Sequence, residues 1–252
     1  PEDGGLGFKF KWNMGWMHDF LEYMKLDPYF RKYNHNRMTF SLTYFTSENY
    51  ILVLSHDEVV HLKCSMINKM PGLGEDKFSN LKAGYTFMLG HPGKKLLFMG
   101  QDFGQWHEWD EKVSLDWYLA EEESHKKLQE YVRDLLHIYK KYPCLYQLDN
   151  DWNGFQWINA NDGDRSIFSF IRKDETGKKN LLFVVNFTPV DRPDYRVGVP
   201  KRCKLSLLLD NVHGAYKPSQ CPTYTSVKSE CDGQPYSISY PLGGYGTAIF
   251  RF

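Results

Sequence analysis

Tyr50-Ile51-Leu52-Val53-Leu54, followed at once by Ser55-His56-Asp57-Glu58, is the stretch on which the fold of this chain turns. A continuous apolar run leaves no polar face, which is the pattern of a strand covered on both sides, as in a parallel sheet. Lys95-Leu96-Leu97-Phe98-Met99 repeats the pattern and is followed by Gly100-Gln101-Asp102-Phe103. Between the two, Lys77–Leu89 reads as a helix ended by Gly90 and Pro92. Strand, helix and strand in succession predict a parallel β-α-β unit. Chemistry in such units gathers where loops leave the C-terminal ends of the strands. Ser55–Glu58 and Gly100–Phe103 are therefore the candidate site loops.

Working outward, Gly15–Met24 places Trp16, Phe20, Tyr23 and Met24 at helical spacing, and Asp27-Pro28 stops that helix. Met38–Tyr44 is rich in β-formers and alternates, which predicts a short strand. Glu121–Tyr142 is the longest helical pattern, with Leu128, Val132, Leu135, Leu136 and Tyr139 on one stripe and Pro143 as its stop. Beyond it the pattern changes. Phe155–Ile158, Ile167–Ile171, Leu181–Phe187, Lys204–Leu209, Tyr236–Tyr240 and Gly246–Phe252 read as short strands. Asn161–Asp164 and Glu175–Gly177 are hairpin-like connections between them. The expectation is an α/β part over residues 1–145 and an all-β sandwich over 146–252, without internal repeats.

Composition narrows the functions. Lysine plus arginine and aspartate plus glutamate number 31 each, so the formal net charge is zero. That balance offers no field of one sign for nucleic acid or an anionic membrane. No apolar run approaches the roughly 20 residues of a membrane span. Five scattered cysteines, Cys64, Cys144, Cys203, Cys221 and Cys231, form no C-x-x-C pair, which argues against a zinc ribbon and for a reduced, cytosolic protein. Aromatic residues reach 16%, suited to stacking on the flat faces of sugars as well as to filling cores. The opening, Pro1–Gly7, lacks an initiating methionine and runs straight into motif-rich sequence, as expected for an internal cut in a longer protein.

Ser55–His61 carries the densest chemistry. As a metal site it fails, because a zincin requires H-E-x-x-H and these histidines are five apart. As a Ser-His-Asp relay it fails too, since sequence neighbours on an extended segment cannot stack in the required order. Two readings stay open on the residues themselves. His56 and Asp57 cap the next element, or they serve glycoside chemistry, in which a carboxylate stabilises an oxocarbenium-like transition state. In the second reading the imidazole clamps a sugar hydroxyl beside it.

Leu54–His61 (LSHDEVVH) resembles the last conserved region of the α-amylase superfamily in the form typical of its glycogen- and starch-branching enzymes. Gly4–Asp19, Tyr23–Pro28, Pro92–Gly100, Ser114–Trp117 and Asn186–Pro189 resemble the same family in the same order, so the likeness covers nearly the whole chain. It implies the C-terminal part of a (β/α)8 barrel, followed by an accessory β-domain. It implies retaining transglycosylation of α-1,4-glucan to a glucan O6 hydroxyl, with no cofactor and no metal. By position, Asp57 matches the carboxylate that stabilises the transition state, and His56 the histidine that binds the sugar at the cleavage point. The nucleophile and the acid/base would lie upstream, so the missing N-terminal portion is the implied partner and the chain alone is expected to be inactive.

Glu58, Asp102, Glu108 and Asp110 are the acids that position alone offers as substitutes, and nothing in the sequence sets a pair of them across a scissile bond. Trp12, just after the expected acid/base strand, is a candidate for stacking on a glucosyl unit, whereas Trp16 reads as an anchor of the following helix. Trp106, Trp109 and Trp117 are weighed the same way. Trp152, Trp157, Tyr195, Tyr216 and Tyr224 are candidate sugar platforms in the β-rich part that read more simply as core or interface. The sequence departs from the family where Leu62-Lys63 follows His61 in place of the usual glycine and lysine, and where Asp102 replaces a usual glutamate. The alternatives are an α-amylase-type hydrolase and a non-catalytic α-glucan-binding fragment. A cytoplasmic location is expected, or a plastid for a plant starch enzyme. A partial barrel leaves open sheet edges, so the chain alone is expected to aggregate.

Overall fold

The computed structural model describes residues 4–252; Pro1–Asp3, part of the opening expected to be an internal cut, lie outside the described residues. The first strand, β1 (Lys11–Trp12), leads through Asn13 into α1 (Met14–Lys25). Asn13 caps that helix: its side-chain oxygen accepts the Trp16 N–H at 2.9 Å. Asp27 caps the short α2 (Pro28–Arg31) in the same way, with proline at the helix start.

Residues 36–43 then form α3 (Asn36–Thr39), which tightens into a 3-10 turn over Phe40–Thr43. This corrects the strand expected over Met38–Tyr44. Alternation would have put Met38, Phe40 and Leu42 on one face, but Phe40 is 56% exposed while Met38, Leu42 and Phe45 are buried. Their spacing of four and three is a helical stripe, and burial of that stripe overrides β-propensity.

β2 (Tyr50–Leu54) follows, then α4 (Glu75–Gly90), β3 (Lys94–Leu97) and α5 (Glu123–Lys141). The three strands pair in parallel in the order β1-β2-β3. Among the described residues, β1 and β3 each pair only with β2. Beside β3, Tyr85, Met88, Leu97, Val132 and Leu136 border an apolar slot of about 440 Å³ between α4 and α5. No helix of the described residues is long and apolar enough to cross a membrane.

The sheet-rich part comprises β4 (Phe155–Asn159), β5 (Ile167–Arg172), β6 (Leu181–Asn186), β7 (Arg192–Val199), β8 (Lys204–Asp210), β9 (Gly214–Ala215), β10 (Thr223–Thr225), β11 (Tyr236–Leu242) and β12 (Thr247–Arg251). A seven-stranded sheet runs β10-β8-β12-β6-β5-β4 with β9 beside β8, and β11-β7 forms a second, two-stranded sheet. Every residue of β5 and β6 is buried. Phe168, Phe170 and Phe183 share one core with α1, α4 and α5, while Ile171, Leu182 and Val184 share another with β7 and β11. The period of two thus feeds two cores at once, which is why these strands read as unbroken apolar runs.

Two fully buried arginines fasten the halves together. Arg31 donates to Met24 O at 2.8 Å, Phe187 O at 2.8 Å and Asn80 Oδ1 at 2.9 Å, joining α1, α4 and the end of β6. Arg172, closing β5, donates to Gly90 O at 2.9 Å and to Asp149 at 3.0 Å. Lys94 reaches the other Asp149 oxygen at 2.8 Å. Burial alone would raise the Asp149 carboxyl, but Lys95, Arg172 and Lys94 around it bring it down to about 2. Gly90 is required at this junction, because a Cβ there would lie 2.7 Å from the Phe170 ring.

Candidate active site

β2 delivers its last apolar residue, Leu54, into the core, and the chain leaves the sheet at Ser55. His56–Glu58 then form a single 3-10 turn. Ser55 is buried, and its hydroxyl donates to Asp57 Oδ2 at 3.1 Å. His56 Nε2 lies 3.4 Å from the other Asp57 oxygen, and both side chains are about half exposed, at 49% and 48%. Ser55 therefore serves Asp57 and not His56, so no serine–histidine relay forms.

The pair rests on an aromatic floor from the loop after β3. The His56 ring is 5.7 Å from Phe98 and 6.5 Å from Trp109, and those two rings meet edge to face at 5.1 Å. The Trp109 N–H donates to Val59 O at 2.9 Å, so the loops after β2 and β3 are stitched together. Lys63 folds back over the turn, donating to Asp57 O at 2.8 Å and reaching Glu58 Oε1 at 3.4 Å. A fixed carboxylate and an imidazole, open to solvent on one side and backed by apolar rings on the other, can bind a polyol and stabilise positive charge on it.

Trp12 stands apart from this pair. Register sets it opposite Ile51, near the beginning of β2, so five residues of largely extended chain, roughly 16 Å, separate it from the His56–Asp57 turn. Its side chain is 43% exposed. Trp16 is buried and stacks on Phe20 at 4.8 Å, as expected of a helix anchor. Trp106 packs on His125 and Phe78, and Trp117 against Phe103. Of the rings weighed in the β-rich part, Tyr195 is buried, Tyr216 and Tyr224 pack on the second core, and Trp152 meets Phe45 edge to face.

The remaining acids have local partners. Glu58 faces Lys63, Asp102 accepts from Gln129 at 3.1 Å, and Asp110 accepts the Lys112 N–H at 2.9 Å. Glu108 accepts the backbone N–H groups of Leu62 at 3.0 Å and Cys64 at 2.6 Å. Sequence reasoning missed the parts played by Ser55 and Phe98. A hydroxyl two residues before the carboxylate was the available signal for Ser55, since such side chains bond locally.

Residues 157–252 match the family described as the all-beta C-terminal domain of alpha amylase. The whole chain is 57% identical to the 1,4-alpha-glucan branching enzyme GlgB of Butyrivibrio fibrisolvens and spans 40% of it. It is 46% identical over its whole length to the Gloeobacter violaceus GlgB, of which it spans 35%. By sequence, the chain is similar along its whole length to part of the 1,4-alpha-glucan branching enzymes. It covers well under half the length of those branching enzymes. Solved structures share the fold at lower identity. An alpha-amylase from H. orenii superimposes with a TM-score of 0.63 and 15% identity, over 97% of this chain and 49% of that one. A Bacillus subtilis pullulanase does so with a TM-score of 0.68 and 13% identity, over 96% and 35%.

Proposed function

We propose that this chain supplies part of the active site of a 1,4-alpha-glucan branching enzyme, with residues 1–145 as the closing part of a (β/α)8 barrel and 146–252 as an accessory β-domain. The observation that carries the reading is the His56–Asp57 pair, held by Ser55 at the C-terminal end of a parallel strand and backed by Phe98 and Trp109. The free edges of β1 and β3 suit a sheet that continues into the rest of the barrel.

In this mechanism an upstream carboxylate attacks the anomeric carbon of an α-1,4-linked glucosyl unit while an upstream acid protonates the leaving O4. The covalent glycosyl-enzyme is then attacked by the O6 hydroxyl of a second glucan chain, and the acid, now a base, takes its proton. Asp57 stabilises the oxocarbenium-like charge in both steps, and His56 binds a hydroxyl of the sugar at the cleavage point. Trp12 stacks on a glucosyl unit farther along the chain. The upstream portion holds the nucleophile and the acid/base. The local partners of Glu58, Asp102, Glu108 and Asp110 support this division of labour. α-1,4-Glucan is the substrate, the cytoplasm the location, and no cofactor takes part.

Hydrolysis by an α-amylase-type enzyme is the second reading, favoured by the fold shared with alpha-amylase. The identity of 57% to a branching enzyme weighs for transfer. The test is Asp57→Asn in the full-length protein, followed by iodine absorbance of amylose and by counting new α-1,6 linkages. Branching should fall by about 10³-fold or more. Retention of activity, or release of reducing sugar without new branches in the wild type, would sink the proposal. The 252-residue chain alone should be silent and recover branching when the upstream portion is added.

A further inference from the structure

The segment after the His56–Asp57 turn has an unusual backbone. His61, Leu62 and Cys64 have φ of 56°, 65° and 68°, and none is glycine. Side-chain-bearing residues occupy the left-handed region only when something holds them there. Backbone N–H groups gathered by such a turn form a concavity that binds anions. Here the anion is a side chain of the same protein: Glu108 accepts Leu62 N–H with one oxygen at 3.0 Å and Cys64 N–H with the other at 2.6 Å.

We propose that Glu108 is a positioning residue, which locks the segment 61–64 with His61, Leu62 and Cys64 in the left-handed conformation and thereby sets the geometry of the His56–Asp57 turn. The path is continuous. Lys63, between the two anchored amides, donates to the Asp57 carbonyl at 2.8 Å. The Lys69 ammonium donates to the Lys63 carbonyl and holds the segment from below. Trp109, next to Glu108, donates to Val59 O at 2.9 Å and packs on His56. Glu108 thus acts through backbone and Lys63, and touches no reacting atom. Leu62 is 96% exposed, so its side chain gives nothing to packing and the left-handed backbone is maintained from outside.

The inference rests on Asp57 being the catalytic carboxylate, and the test separates the two claims. In the full-length protein, amide hydrogen exchange of residues 61–64 is measured alongside kcat and KM for Glu108→Ala, Glu108→Gln, Leu62→Gly and the Leu62→Gly/Glu108→Ala double variant. Glu108→Ala should speed exchange at Leu62 and Cys64 by about tenfold or more, with β2 still protected. It should lower kcat by about 10- to 100-fold and leave KM within about twofold. Glu108→Gln keeps one acceptor oxygen and should fall between. Leu62→Gly alone should stay within about twofold of wild type, since glycine adopts this conformation freely. The double variant should regain most of the lost kcat. Unchanged exchange in Glu108→Ala, or a double variant no better than Glu108→Ala, overturns the proposal. Full activity in Asp57→Asn would instead remove the catalytic reading, and the exchange data would still judge whether Glu108 holds the loop.

Discussion

The seven-stranded sheet and the three-stranded parallel sheet of this protein differ in how completely their strands are covered. In the seven-stranded sheet, β5 and β6 lie between neighbours on both edges and are covered on both faces, by α4 on one side and by β7 and β11 on the other. In the parallel sheet, among the described residues, only β2 has neighbours on both edges, and an apolar slot of about 440 Å³ lies open beside β3. Yet the polar pair with the clearest chemistry stands on the unfinished sheet. In the proposed function the β-rich part contributes rigidity, and the parallel sheet contributes the chemistry together with the portion proposed to lie beside it.

The largest effect that would break this contrast concerns the chain on its own. Purified alone, it should self-associate, bind a hydrophobic dye and melt over a broad range, because two strand edges and an apolar slot are uncovered. A monodisperse product with a sharp, cooperative melt would show that the parallel sheet is already complete. Next in size is Arg31→Met in the full-length protein. It strips Met24 O, Phe187 O and Asn80 of a buried donor and should cost about 2–4 kcal/mol in urea denaturation. A helical probe and a β-sheet probe should move together, since this side chain ties both halves. Separate transitions would mean that the halves unfold independently.

A smaller effect should follow pH. Burial pushes the His91 imidazole down to about 3, with Nδ1 donating to Pro92 O and Nε2 accepting from the Ser41 hydroxyl at 2.7 Å. The unfolded chain, with an ordinary value near 6.5, takes up a proton that the folded chain refuses. Stability from this group is therefore complete above about pH 6.5 and is lost as pH falls toward 3. About 2–3 kcal/mol should be gone by pH 4.5. Comparing wild type with His91→Gln by denaturation at both pH values checks it. An equal pH dependence in the two proteins would remove His91 from the account.

Long elements with one dominant pattern were legible in the sequence: β2, β3, α4 and α5 follow from apolar runs or a helical stripe. β7 was not, because it lies in a two-stranded sheet with β11 and carries Arg192, Pro193 and Asp194 at its start, so its alternation emerges only over its second half. β1, at two residues, carries no pattern at all. At the site, the adjacent His56 and Asp57 could be read directly. The grip of Glu108 on Leu62 and Cys64 could not, because 46 and 44 residues separate the partners and only the pairing of β2 with β3 brings their loops together.

The double-sided burial of β5 and β6 bears on how such a protein can be recombined. A β-domain with a polar outer face could be transplanted onto another catalytic part, needing only a tolerant linker. This one carries Phe168, Phe170 and Phe183 on the face that α4 covers, with Gly90 admitting the Phe170 ring. A graft would have to bring α4 along, glycine included, so the heritable unit runs from the helix that follows β2 to the final residues of the sheet.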